Sequence, residues 1–85
     1  MAMKSVKIRA EGSTLTLEPV LVNKLGQKVY IARNPTGWKT NYSVWVYGGR
    51  GWGVMLASHH RTKALATSAA KRLANKDVLK ILGWR

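Results

Sequence analysis

Apolar and polar residues alternate along the first part of the chain, which is typical of half-buried β-strands. Residues 5–10 and 14–18 each place apolar side chains on one face and polar or charged side chains on the other. A turn at residues 11–13 separates the two runs, so we predict an N-terminal hairpin. Pro19 cannot donate a ladder hydrogen bond, and we expect it to end the second strand, bend it or mark an edge of the sheet. If the strand bends, residues 20–22 can continue it.

Three more strands are predicted from the pattern that follows. Residues 28–33 alternate, with Val29 and Ile31 predicted to face the core, and a strong turn signal follows at residues 34–37. Residues 42–58 contain two runs rich in valine, tryptophan and tyrosine on either side of a glycine cluster. That arrangement is typical of a β-hairpin, and it completes a three-stranded meander.

The loop length of this last hairpin decides which face each aromatic residue takes, because a one-residue shift in pairing exchanges the two faces. A loop with an odd number of residues leaves Trp45 and Tyr47 on an open face, with Arg50 beside them. A loop with an even number places both aromatics on the same face as Val54 and Leu56. We predict the odd loop, since it separates core from surface better and suits a left-handed glycine.

Beyond Thr62 the apolar period becomes helical, and an alanine-rich stripe continues to Leu73. Thr62 is a candidate N-cap, and residues 78–82 can form a short second helix. We therefore predict one α+β domain over residues 1–85. Its fold is a single antiparallel sheet of about five strands, built from the N-terminal hairpin and the meander, packed on one alanine-rich C-terminal helix and followed by a short terminal helix.

Charge changes the picture more than any single motif. Lysine and arginine number 15 against three acidic residues, which gives a formal net charge of +12. Such an excess on a small domain favours a polyanionic partner, most commonly a nucleic acid. The alternative is a generically basic surface that has no specific partner.

Catalytic and metal-binding chemistry is not predicted. The chain has no cysteine, its three acidic residues form no obvious pair, and the adjacent His59 and His60 point to opposite sides of an extended chain. We expect a protein that is not an enzyme and that needs no metal or cofactor. No apolar run approaches a membrane span, and the N-terminus lacks the apolar core of a signal peptide, so we expect a cytoplasmic protein, nucleoid-associated if it binds DNA.

The candidate nucleic-acid contacts are cations interleaved with aromatic residues on the open face of the sheet and at its edges. They are Lys7, Arg9, Lys28, Tyr30, Trp45 and Tyr47, with Trp38, Lys39 and Arg50 at the edges. The alternative for the aromatics is a second small core beneath the N-terminal hairpin.

The start of the predicted helix is a further candidate phosphate site. Arg61 and Lys63 flank the N-cap and no acidic residue follows in the first turn, an arrangement that a bound phosphate would make favourable. The alternative is that the chain tolerates a small penalty there.

Residues 28–74 resemble two families of DNA-binding domain. Three strands followed by a helix that opens Thr62-Lys63-Ala64-Leu65-Ala66-Thr67-Ser68-Ala69-Ala70 are similar to the plant ethylene-response-factor domain and to the arm-site-binding domains of phage integrases. In those families a threonine caps an alanine-rich helix behind a three-stranded sheet, and the sheet enters the major groove. The resemblance implies that DNA lies near Tyr30, Arg33, Trp45, Tyr47 and Arg50.

Three functions are compatible with these features. The leading hypothesis is a non-enzymatic protein that binds nucleic acid, with double-stranded DNA as the expected partner. The second is a small viral or phage-type inhibitor or regulatory protein that docks on an acidic host protein. An RNA-binding role is the third.

Overall fold

Five antiparallel β-strands follow one another in chain order and lead into a helix that packs on them. The computed structural model describes residues 4–10, 12–47 and 53–76. The elements are β1 (Val6–Ala10), β2 (Ser13–Val22), β3 (Lys28–Arg33), β4 (Tyr42–Tyr47), β5 (Val54–His60) and α1 (Lys63–Lys71). The predicted α+β class, with a hairpin, a meander and one alanine-rich helix, is confirmed. The short terminal helix predicted over residues 78–82 lies outside the described residues.

The N-terminal hairpin has the predicted faces. Val6 pairs with Leu17 and Ile8 with Leu15, so the apolar side chains of both strands share the inner face, while Lys7 is exposed on the outer face. The pairing of β2 with β3 shifts between Pro19 and Leu21, which confirms the predicted bend. This bend lets β2 continue as a long strand that pairs with β1 in its first half and with β3 in its second.

The sheet curls and buries side chains on both of its faces. One face forms an inner core beneath the hairpin, made of Leu15, Leu17, Tyr30, Ala32 and Trp45. The other face forms a helix-side core, made of Val29, Ile31, Val44, Ala66 and Ala70. Val29 and Ile31 therefore face a core as predicted, and the alanines let α1 approach the sheet closely. No helix in the described part of the chain is long and apolar enough to cross a membrane.

The prediction of an odd loop in the last hairpin is wrong. Tyr47 pairs with Val54 and Trp45 with Leu56. The residues between the two strands are 48–53, and their number is even. Both aromatics therefore lie on the inner face together with Val54 and Leu56. The physical reason is that the hairpin β1–β2 covers the second face of the sheet, and large side chains are needed there to fill the enclosed space.

Trp45 is buried together with a partner for its polar group. Its side chain is 7% exposed, and its Nε1–H donates a 2.7 Å hydrogen bond to the Oγ of the buried Ser43. Tyr30, on the same face, is 3% exposed. Burial raises the pKa of the Tyr30 hydroxyl, and the neighbouring Tyr47 raises it further. The expectation that Tyr30 and Trp45 lie on an open face is therefore wrong.

Asn23 joins the turn between β2 and β3 to the segment after α1. Its Oδ1 accepts hydrogen bonds from the N–H groups of Leu25 (3.0 Å) and Gln27 (2.8 Å). Its Nδ2 donates to Gln27 Oε1 (2.7 Å) and to the carbonyl oxygen of Lys76 (2.8 Å). A main-chain bond of 2.8 Å from Lys24 to Ala74 reinforces the junction. The asparagine thus orders the turn and anchors the helical segment with one buried side chain.

Replacing Asn23 with alanine is expected to lower the free energy of unfolding by about 2–3 kcal/mol, because four hydrogen bonds are lost at a site only 5% exposed. Urea denaturation followed by circular dichroism measures this loss. Lys24→Ala, at the exposed neighbouring position, is the control and should change stability by less than about 0.5 kcal/mol. Equal effects of the two substitutions would contradict the anchoring role of Asn23.

Candidate nucleic-acid interface

The predicted contact residues separate into distinct groups on the folded chain. Four cations, Lys7, Arg9, Arg33 and Lys63, lie around one surface, which we call the basic face. Their side chains are all exposed. Strand pairing and α1 bring these four together from distant points in the sequence.

A polar hollow of about 330 Å³ lies at the centre of the basic face. Thr14 and Thr16 of β2 line it, together with Arg33 of β3 and Lys63 at the start of α1. Arg9 pairs with Thr14 and Lys7 with Thr16 across the hairpin. Since directly paired residues project to the same side of a sheet, Lys7 and Arg9 flank the threonines that line the hollow.

Little negative charge opposes these cations. Glu18 is the only acidic side chain in the described residues; it lines the hollow, and its Oε2 lies 3.9 Å from Lys63 Nζ. The two side chains are 61% and 62% exposed, so the pair is screened by water and contributes little to stability. The basic face therefore carries an excess of positive charge that a polyanion can neutralise.

The start of α1 borders this face and is capped as predicted. The Thr62 Oγ1 accepts a 3.2 Å hydrogen bond from the Leu65 N–H, and the first turn contains no acidic residue. Arg61 precedes the cap, and its carbonyl oxygen accepts a 3.1 Å bond from Asn41 Nδ2. The cap leaves the side chains of Arg61 and Lys63 exposed at the positive end of the helix.

The buried aromatics take no direct part in such a surface. Tyr30 and Trp45 pack against Leu15 and Leu17, so neither ring is presented on an open face of the sheet. The sheet face that the family resemblance places in the major groove is the one that the N-terminal hairpin covers. Tyr30 and Trp45 therefore do not lie on an open face. Of the residues that the resemblance implies, Arg33 and Tyr47 are the ones whose described side chains reach the surface.

Lys28 and Tyr47 lie together at another end of the sheet. The Lys28 Nζ is 5.7 Å from the centre of the Tyr47 ring, a cation–π contact between paired residues of β3 and β4. Lys28 is at the opposite end of β3 from Arg33. This pair is therefore separate from the basic face. Arg50, which is predicted to lie beside Trp45 and Tyr47, lies outside the described residues.

Trp38 and Lys39 belong to a second, mostly apolar pocket of about 620 Å³, which we call the indole pocket. Trp45 and Leu56 also line it, and the His59 ring packs edge-on against Trp38 with ring centres 6.1 Å apart. Trp38 is partly buried, whereas Lys39 is exposed. The two predicted residues are thus adjacent in one site.

Several residues of these sites were not predicted from the sequence. Thr14, Thr16 and Tyr42 line the basic-face hollow and Thr40 lines the indole pocket. The alternation of side chains along the strand was the available signal for the threonines. It places both on the face that carries Lys7 and not on the face that carries Leu15.

Within the described residues, no group of three potential metal ligands comes together. Comparison of the chain with protein-family models, with curated proteins and with solved structures finds no match.

Proposed function

We propose that this protein binds nucleic acid without catalysing a reaction, and that its basic face contacts the phosphates of double-stranded DNA. The observation that carries the proposal is the convergence of Lys7, Arg9, Arg33 and Lys63 around a threonine-lined hollow in a chain of net charge +12. Lysine and arginine supply charge-assisted hydrogen bonds to phosphate oxygens, and threonine hydroxyls add neutral ones.

The chemistry of the basic face favours contacts to the nucleic-acid backbone over readout of sequence. Its cations and hydroxyl groups recognise phosphate, and contacts of this kind position a protein on a duplex without specifying a base sequence. Tyr30 and Trp45 are buried in the inner core, and Tyr42, which lines the hollow, is half-buried against the helix-side core. We therefore propose binding with weak sequence preference and strong dependence on salt.

Fluorescence anisotropy with labelled duplex DNA, duplex RNA and single-stranded DNA of one sequence tests this proposal. Duplex DNA is expected to bind most tightly, with affinity that falls as salt is raised. Tighter binding of duplex RNA would support an RNA-binding role instead. Absence of binding to all three, together with recovery of a stoichiometric acidic protein after nuclease treatment, would overturn the proposal in favour of a protein-directed inhibitor.

A further inference from the structure

The indole pocket exists because the curled sheet does not close into a complete barrel. In the described residues the strand order ends at β1 on one side and at β5 on the other, so these two edges do not pair. Ala10 of β1 and Leu56 and His59 of β5 nevertheless line the same pocket. The pocket therefore lies where the two edges approach one another, and the inner core forms its floor.

The lining of this pocket combines flat aromatic surface with positive charge. Trp38 and Trp45 supply indole rings and Leu56 an apolar surface, while Lys39 and Thr40 supply a cation and a hydroxyl group. No acidic residue lines it. Aromatic rings beside a lysine are the combination that holds a base by stacking and its phosphate by charge.

The loop that carries Trp38 is held in place by Asn34. The Asn34 N–H donates to the Asn41 carbonyl oxygen (2.7 Å), and its Nδ2 donates to the Thr40 carbonyl oxygen (3.0 Å) and to Thr40 Oγ1 (3.1 Å). Asn34 is itself buried, so these bonds hold the loop from within the fold.

We propose that the indole pocket binds one nucleotide whose base is unpaired, with the base against the Trp38 indole and its phosphate near Lys39. The volume of about 620 Å³ lies within the range of small-molecule sites, about 300–1,000 Å³. A lone apolar side chain of a protein partner would leave Lys39 without a role.

The geometry also links this pocket to the basic face. A third hollow, also polar and lined by Asn34, shares Arg33 and Tyr42 with the basic-face hollow and shares Gly37 and Trp38 with the indole pocket. A backbone bound on the basic face can therefore deliver an unpaired nucleotide along this path. In this form the inference rests on the proposed function, whereas a free nucleotide could enter the pocket independently.

The test compares two duplexes that differ only in one extra, unpaired adenosine, by anisotropy with the full chain. We expect the duplex with the unpaired adenosine to bind about tenfold more tightly, and we expect Trp38→Ala to abolish that difference. Leu25→Ala, at a position 56% exposed in the turn between β2 and β3, is the matched control and should preserve it. In parallel, adenosine monophosphate is added to labelled protein and the Trp38 indole and Lys39 amide NMR signals are followed.

The outcomes distinguish failure of this inference from failure of the proposed function. Equal affinities for the two duplexes, with both NMR signals unmoved by adenosine monophosphate, would overturn the inference and leave the proposed function intact. If neither duplex binds, the proposed function fails. Movement of the two signals by the nucleotide would then support a free nucleotide as the ligand, and unmoved signals would overturn the inference as well. Tighter binding of N-acetyltryptophanamide than of the nucleotide would overturn it in favour of a protein side chain.

Discussion

Replacing Trp45 with alanine is expected to destabilise the fold strongly and lower its melting temperature, rather than to remove a contact with DNA. The side chain fills the inner core and is 7% exposed, and loss of a buried tryptophan costs about 3–5 kcal/mol. A domain of this length has a total stability of about 4–13 kcal/mol, so the loss consumes a large part of it. Thermal denaturation followed by circular dichroism measures the effect.

The control for this variant is Leu65→Ala, which truncates a large apolar side chain that is 53% exposed on α1. It should change the free energy of unfolding by less than about 0.5 kcal/mol. A Trp45→Ala protein that melts like the wild type and loses affinity for DNA would contradict the buried position of Trp45. That result would mean that Trp45 lies on an exposed binding surface.

Reversing the charge of Arg9 and Arg33 together is expected to weaken binding to duplex DNA at least about 100-fold at low salt. Two phosphate contacts are lost in the Arg9→Glu/Arg33→Glu variant, and two carboxylates are placed against the backbone. Both side chains are exposed, so the fold should be retained. Anisotropy titrations at fixed salt measure the affinity, and circular dichroism checks the fold.

The matched control is Lys24→Glu/Lys76→Glu, which makes the same change in net charge on exposed residues away from the basic face. These two lysines lie where the turn after β2 meets the segment after α1, whereas the basic face lies at the start of the helix. A loss of affinity as large as that of the arginine variant would mean that net charge alone drives binding. The basic face would then have no special role.

Much of the architecture could be predicted from local patterns. The alternation in β1 and β2, the bend at Pro19 and the cap at Thr62 each depend on neighbours in the sequence, and each is confirmed. Patterns of this kind report the conformation of a segment directly, because they arise from side-chain alternation, a missing donor and a local hydrogen bond.

The placement of the aromatics could not be predicted in the same way. An odd loop sorts apolar from aromatic residues, which is the better arrangement for a sheet with one buried face. In the fold both faces are buried, since the hairpin β1–β2 covers the second one, and Trp45 satisfies its N–H with Ser43. Such a choice depends on the packing of distant segments, which no single hairpin sequence reveals.

The candidate site was predictable in part. The cations were identified from the sequence, yet the grouping of Arg33 and Lys63 with the outer face of the hairpin depends on the path of β2 across the sheet. The indole pocket depends on the incomplete closure between β1 and β5. Both features are tertiary, and neither leaves a local pattern in the chain.

The dependence of affinity on salt tests the proposed phosphate contacts most directly. Four contacts predict that the logarithm of the binding constant for duplex DNA falls with the logarithm of salt concentration with a slope of about −3.6. The Arg9→Gln/Arg33→Gln protein should reduce this slope to about −1.8, since each neutralised contact removes about 0.9. A wild-type slope near zero, or the same slope in both proteins, would contradict binding of DNA through the basic face.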